Sequence, residues 1–342
     1  MKTADSWVVV GLDNGGNKNA ASVLDASGSF LVKQLFESPS RVTEGPGIAV
    51  QALVETFDDI LQRTGIERSA VRAVGLDTPG PASAEGVISS RGSTNFAHPG
   101  WRNFDYRGAL EARLALPVVY NNDGNAAALY AHYELFGAVA PQRSSISAIV
   151  GTGLGGGVVE KGHVIRGAAG FAGELGHVHV PMEGLLDVGQ PMPGCNCGFV
   201  GDVESVASLT GIEVNLLPYW LTRYPGHALA KEPSIAKAAK LVRAFGENGD
   251  AMALRIFEQQ AIAIGRLFTI AANFMDPDAY LVGGGVVEAA PHFREWFLAK
   301  VRENTALKEE QAAVARFTVV PDLDMAGARG AALAALRSVH GR

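Results

Sequence analysis

Cysteine is nearly absent from this chain: 342 residues contain two, too few for a disulfide framework. Both fall in "GCNCGFVGDVES", as Cys195 and Cys197. Taken alone, that spacing fits half of a metal site, a strained local disulfide or chance. Runs of Lys or Arg are also missing, and 29 basic against 35 acidic residues leave a net charge of −6. Without a basic footprint, nucleic acid is not an expected partner. The longest apolar region, "AIAIGRLFTIAANFMDPDAYLVGGG", is interrupted by Arg266 and Asp276, so no membrane span is expected. The opening "MKTADSWVVVGLD" has too short an apolar stretch for a signal segment. A cytoplasmic protein is the expectation.

What the chain does have is glycine, 41 residues of it, clustered at the ends of apolar runs. "VVVGLDNGGNKNAASVLDASGSFLV" and "SAIVGTGLGGGVVEKGHVIRG" share one plan. Each has a β-rich run, a Gly-rich turn, a second run, a tight turn (Ser27-Gly28, Lys161-Gly162) and a third run. "VRAVGLDTPGP" and "AYLVGGGVVEAAP" also match, each following a helical segment, roughly 46–64 and 250–275. The pattern predicts two copies of one β-β-β-α-β unit. The expected division is 1–122 and 123–325, with a terminal helix at about 326–340 packing back on the first part. Strands alternating with helices favour an α/β protein with a mainly parallel sheet. Ligands of such sheets gather at the carboxyl ends of strands. A duplicated fold would face those ends across a central cleft, which suits a nucleotide gripped by backbone.

Two turns carry that expectation. "LDNGGNK" sets Asp13 at a strand end before Gly15, Gly16, Asn17 and Lys18. Glycines let backbone N–H groups approach phosphate closely, Asn17 and Lys18 can donate to oxygen, and Asp13 can hold Mg²⁺ through water. "GTGLGGG" offers a second concavity with Thr152 and Gly153. Neither has P-loop spacing or opens a helix as a dinucleotide motif does. Paired in two repeats, they read as a triphosphate clamp.

Polar chemistry collects in three further places. "VVYNNDGNAAALY" brings Asn121, Asn122 and Asp123 to a strand end before an Ala-rich helix. Asp123 reads equally well there as a helix N-cap. "GFAGELGHVHV" sets Glu174 and His177 three apart, and Glu204 follows the cysteines. A sugar presents several hydroxyls, and Asn, Glu and His converging on a pocket would satisfy them.

The ordered set "LDNGGNK", "NNDGNAAAL", "GTGLGGG", "GELGH", "CNCG…E" and "LVGGG" resembles the repressor–ORF–kinase (ROK) family of bacterial sugar kinases and sugar-responsive repressors, from about residue 7 to about 337. The resemblance implies an actin-like, hexokinase-like (ribonuclease H-like) fold and phosphorylation of a sugar hydroxyl by ATP with Mg²⁺. It implies that Asp123 is the catalytic base and that Asn122, Glu174, His177 and Glu204 bind sugar. Gly15, Gly16, Gly153 and Gly284 fall in the ATP-phosphate motifs. The family's zinc site implies His177, Cys195 and Cys197 as ligands, with Asp202 standing where a third cysteine is usual. Zn²⁺ accepts Asp oxygen as well as thiolate. Asn17 departs from the usual Thr, and "NFAHPGWRNFD" is longer than the family's stretch by about one residue, with Asn95 able to reach the sugar. The first Gly-rich motif arrives at Asp13, which leaves no room for a preceding helix-turn-helix. A kinase is therefore expected over a repressor, with a catalytically silent sugar sensor as the alternative. Gly100-Trp101 and the Glu–His–Glu set lean toward glucose or a close epimer, phosphorylated on the 6-hydroxyl, over an N-acetylhexosamine. The family's habit implies a homodimer.

Overall fold

The structure is a computed structural model that describes residues 7–80, 82–89 and 96–341. The chain forms two compact units: Met1–Ala140, Gly162–Gly173 and Asp322–Arg342 make the first, Pro141–Lys161 and Glu174–Pro321 the second.

In the first unit, β1 (Val8–Asn14), β2 (Lys18–Asp25), β3 (Phe36–Pro39), β4 (Val71–Thr78) and β5 (Val118–Asn122) form one sheet in the order β3-β2-β1-β4-β5. β1 runs antiparallel to β2 and parallel to β4, which is parallel to β5. β1 and β4 are buried almost from end to end, as strands covered on both faces must be. Helix α1 (Pro46–Thr64) starts on a proline and stops at Gly65, whose φ of 65° suits a glycine. The C-terminal helix Leu323–Val339 packs on the sheet through small residues. A Cβ added at Gly11 would lie 1.9 Å from the Ala328 carbonyl oxygen, and one at Gly75 equally close to that of Ala331. Only glycine permits this approach.

The turn at Ser27-Gly28 forms, with Gly28 at φ 89° and Asp25 Oδ1 accepting from the N–H groups of Ser27 and Ser29. The expected third run directly after it does not become a strand. Pairing there is a single bridge, Leu24 to Phe30; Val32 packs against the core, but Leu31 between them is 48% exposed. The third strand comes later, as β3. The expected division after Asn122 is also displaced. Helices α2 (Tyr106–Leu114) and α3 (Asp123–Phe136) both stay in the first unit. α3 is held there by the C-terminal helix, whose Gly330 lies so near the Ala126 carbonyl that a Cβ would be 1.9 Å away.

In the second unit, β6 (Ser145–Val150) runs antiparallel to β7 (Leu154–Glu160) and parallel to the strand Ala279–Gly284, which is parallel to Arg316–Val319. This is the pairing scheme of β1, β2, β4 and β5 again. The helix Ala251–Met275, N-capped by Asp250, buries Ile256, Phe257, Ile264 and Phe268 in the unit's core.

Candidate active site

The first unit gathers three carboxylates. Asp13 and Asp77 are register partners on the parallel strands β1 and β4. Both face Gly327 of the C-terminal helix: a Cβ there would sit 2.5 Å from Asp13 Oδ2 and 3.0 Å from Asp77 Oδ2. Asp77 is fully buried, and among the described residues its oxygens have no hydrogen-bond partner beyond its own backbone N–H. Burial, with the charges of Asp13 and Asp123, pushes its carboxyl well above the ordinary range. Asp13 is pushed up to about 7 by burial and then by Asp123, against the pull of Lys18. Asp77 was not singled out from the sequence, although "GLD" at 11–13 recurs at 75–77.

Asp123 stands at the first position of α3, one residue beyond β5. The capping is done by Asn122, whose Oδ1 accepts from the Asn125 N–H at 2.8 Å. Asp123 Oδ1 accepts from the Gly124 N–H at 2.7 Å, and the carboxylate also from its own backbone N–H. Surrounding protein raises the Asp123 carboxyl above its ordinary value, and the Gly124 N–H opposes that. Water still reaches the side chain, so the group is desolvated as in a concavity and not sealed in a core. Of the two neighbours it is Asn122, not Asp123, that caps the helix.

The β1–β2 turn is closed by Gly15 N–H donating to the Lys18 carbonyl at 2.9 Å. Gly15 and Gly16 are partly exposed, and Asn17 and Lys18 are exposed. The conformation at Gly15 lies outside the left-handed region, so its value is close backbone approach. Lys18 pairs with Glu37 on β3, and a phosphate would have to compete with that carboxylate. Asn95 lies outside the described residues. Trp101 lies inside them and is fully buried, its Nε1 donating to the Val42 carbonyl at 2.8 Å among Phe96, Phe104 and Tyr106. Trp101 is therefore a core anchor, while Gly100 beside it is exposed.

In the second unit, the β6–β7 turn is moored by its carbonyls. Gly151 accepts from the Leu209 N–H and Thr152 from both the N–H and the hydroxyl of Thr210. Beside it is a cavity of about 320 Å³ whose lining includes Thr152, Ile212, Lys240, Arg243, Phe257 and Gly285. Apolar walls with a few cations and glycine turns suit a nucleotide. Gly284 adopts φ 87°, and a Cβ there would meet the Val150 carbonyl at 2.2 Å.

Glu204 points at the same turn. Its Oε2 accepts from the Leu154 N–H at 2.8 Å, and a Cβ on Gly153 would lie 2.6 Å from that oxygen. Glu174 begins the short turn Leu175–His177, and its carbonyl accepts from the His177 N–H. His177 Nδ1 lies 3.1 Å from Asp202 Oδ2 and 4.0 Å from Cys195 Sγ; Cys197 Sγ is 3.1 Å from Cys195 Sγ and 3.7 Å from Asp202 Oδ2. All four donors lie within 4.8 Å of one another. Burial works to raise the Asp202 carboxyl, but hydrogen bonds from His177 and Ser205 outweigh it and hold it below the usual range. Burial pushes the Cys195 thiol up. One nitrogen, two sulfurs and one oxygen at this spacing fit a tetrahedral Zn²⁺.

Two mixed sheets of matching connectivity, with helices packed on them, define an α/β protein of the actin-like, hexokinase-like class. The ROK family model matches residues 9–338. The glucokinase of Halalkalibacterium halodurans is 30% identical over 316 residues, 89% of this chain and 90% of that one. The N-acetyl-D-glucosamine kinase of Salmonella dublin is 30% identical over 81% of this chain and 83% of its own. Among solved structures, the ROK hexokinase of Thermus thermophilus has a TM-score of 0.76 at 31% identity, covering 98% of this chain and 100% of that one. A ROK family glucokinase from Streptomyces griseus, in complex with glucose and AMPPNP, has a TM-score of 0.65 at 29% identity, covering 96% and 99%. The chain belongs to the ROK family.

Proposed function

We propose that this protein is an ATP-dependent sugar kinase that transfers the γ-phosphoryl group to the 6-hydroxyl of glucose or a close hexose, with Asp123 as general base. The observation that carries the reading is the arrangement at the start of α3: Asn122 caps the helix, and among the described residues the Asp123 carboxylate is held by adjacent backbone N–H groups with no side-chain partner. Such a group can accept a hydroxyl proton as the bond to phosphorus forms. Its raised affinity for protons makes it a better acceptor than an ordinary surface carboxylate. The likeness to a glucokinase at 30% identity and to a glucokinase bound to glucose and AMPPNP supports the substrates.

Glu174, His177, Glu204 and the Asn122 amide hold sugar hydroxyls, and Asn95 is a further candidate. Gly15, Gly16, Asn17, Lys18, Thr152, Gly153 and Gly284 receive the triphosphate, and the cavity beside Thr152 takes the nucleoside. Asp13 holds Mg²⁺ through water; the ion when bound neutralises phosphate charge. His177, Cys195, Cys197 and Asp202 hold Zn²⁺. A metal on Nδ1 of His177 would fix the ring and leave Nε2 for a sugar hydroxyl. The protein works as a homodimer in the cytoplasm, where its two cysteines stay out of disulfides and able to hold metal.

A coupled assay of ADP release across a panel of hexoses tests the reading. Turnover with glucose that falls roughly 10²–10⁴-fold in Asp123→Asn supports it; binding without turnover would assign a sugar sensor. Preference for N-acetylglucosamine would select the second reading, which the 30% likeness to an N-acetylglucosamine kinase favours.

A further inference from the structure

A second cavity, of about 300 Å³, lies within the first unit and takes part in none of the chemistry above. Its polar lining comes from Asn121, His163, Arg166, Arg337 and Ser338. We propose that this cavity binds a phosphate dianion, carried by inorganic phosphate or by a small phosphomonoester.

The lining offers cations and donors with no carboxylate among them. Neither arginine forms an ion pair within the described residues. Arg166 donates to Asn121 Oδ1 at 2.9 Å, a neutral partner. Glu85 acts on Arg166 only through space, and burial works against its charge. Arg337 spends its hydrogen bonds on the Tyr133 hydroxyl and on His163, whose Nε2 is 2.7 Å away. Burial and the neighbouring Arg337 lower the proton affinity of His163, so the ring is neutral at pH 7 and tolerates the guanidinium beside it. Two cations with only neutral partners are short of counter-charge.

Asn121 supplies the independent sign of a missing ligand. The residue is 3% exposed, and its Nδ2 has no hydrogen-bond partner among the described residues. The guanidinium donating to Oδ1 settles which end of the amide is which. A buried amide N–H₂ without an acceptor costs about 1–3 kcal/mol. An oxyanion held by the arginines would satisfy it. Phosphate matches this donor set because guanidinium forks grip its oxygens in pairs. The volume is at the lower end for small-molecule sites and exceeds a bare anion, which leaves room for the body of a phosphomonoester over Leu129 and Ala334. Asn121 also precedes Asn122 and Asp123 on the same strand end, so occupancy would reach the proposed base through two peptide units.

Isothermal titration tests the proposal with glucose, Mg²⁺ and AMPPNP all saturating, so that substrate positions are filled. Inorganic phosphate should bind the wild type, and binding should weaken roughly tenfold or more in Arg337→Gln and in Arg166→Gln. Arg337→Lys, which keeps the charge, should retain part of the affinity and covers the case in which Arg337→Gln does not fold. A parallel titration with glucose 6-phosphate distinguishes the sources. Tighter binding than inorganic phosphate indicates the phosphomonoester, and equal or weaker binding the free anion. Undiminished affinity in the folded Gln variants, or no binding of either ligand to the wild type, overturns the site. The readout is binding, so it stands or falls independently of glucose turnover.

Discussion

At the scale of single residues, the three carboxylates Asp13, Asp77 and Asp123 set the behaviour with pH. The Asp123 carboxyl is raised, and a base must be ionised to act. Activity should therefore fall on acidification, with the midpoint of kcat/KM above the ordinary carboxylate range, and a profile flat down to pH 4 would contradict the assignment. Stability follows the opposite course at Asp77, whose folded-state proton affinity is also raised. A carboxyl of this kind contributes stability that is full below its unfolded value, near 4, and is lost as pH rises through its folded value. Asp77→Asn, which is neutral at all pH, should therefore melt higher than wild type at pH 8, with the gap closing toward pH 5. Thermal melts across that range check it. The place of Asp123 at a strand end before a helix was legible from its sequence neighbours, whereas the role of Asn122 as cap was not, because Asn and Asp are equally good caps and only the backbone angle decides between them. The sequence does not single out Asp77, because a strand-end Asp followed by Thr-Pro-Gly reads as ordinary turn chemistry.

At the scale of elements, glycine marks where backbone approaches backbone. Gly75→Ala would drive a Cβ to 1.9 Å from the Ala331 carbonyl oxygen, and β4 and the C-terminal helix cannot both keep their places. Overpacking of this kind costs about 1–3 kcal/mol, so urea unfolding should show a lower midpoint. The helices expected near 46–64 and 250–275 stand at Pro46–Thr64 and Ala251–Met275, since their apolar spacing and end signals are local. The run after Ser27-Gly28 was misread because strand pairing depends on what covers a face, which a local pattern does not contain. At the Cys-x-Cys loop, a carboxylate is a harder ligand than thiolate. Asp202→Cys should hold zinc against a chelator at concentrations that strip the wild type, as metal analysis after dialysis would show. Equal retention would argue against Asp202 as a ligand.

At the scale of the whole molecule, the repeat was readable as a pattern of Gly-ended strands, and it reappears as matching pairing schemes in the two units. The boundary between units was not readable, because α3 is assigned by its contact with a helix some two hundred residues later in the chain. The first unit is discontinuous: it is left at Ala140, revisited at Gly162–Gly173 and completed only by Asp322–Arg342. On the ribosome, the second unit therefore has all its residues by Pro321, while β1 and β4 wait with Gly11 and Gly75 uncovered. The part of the protein made first is finished last, and a stop codon before Leu323 should leave a half-matured product that binds a hydrophobic dye.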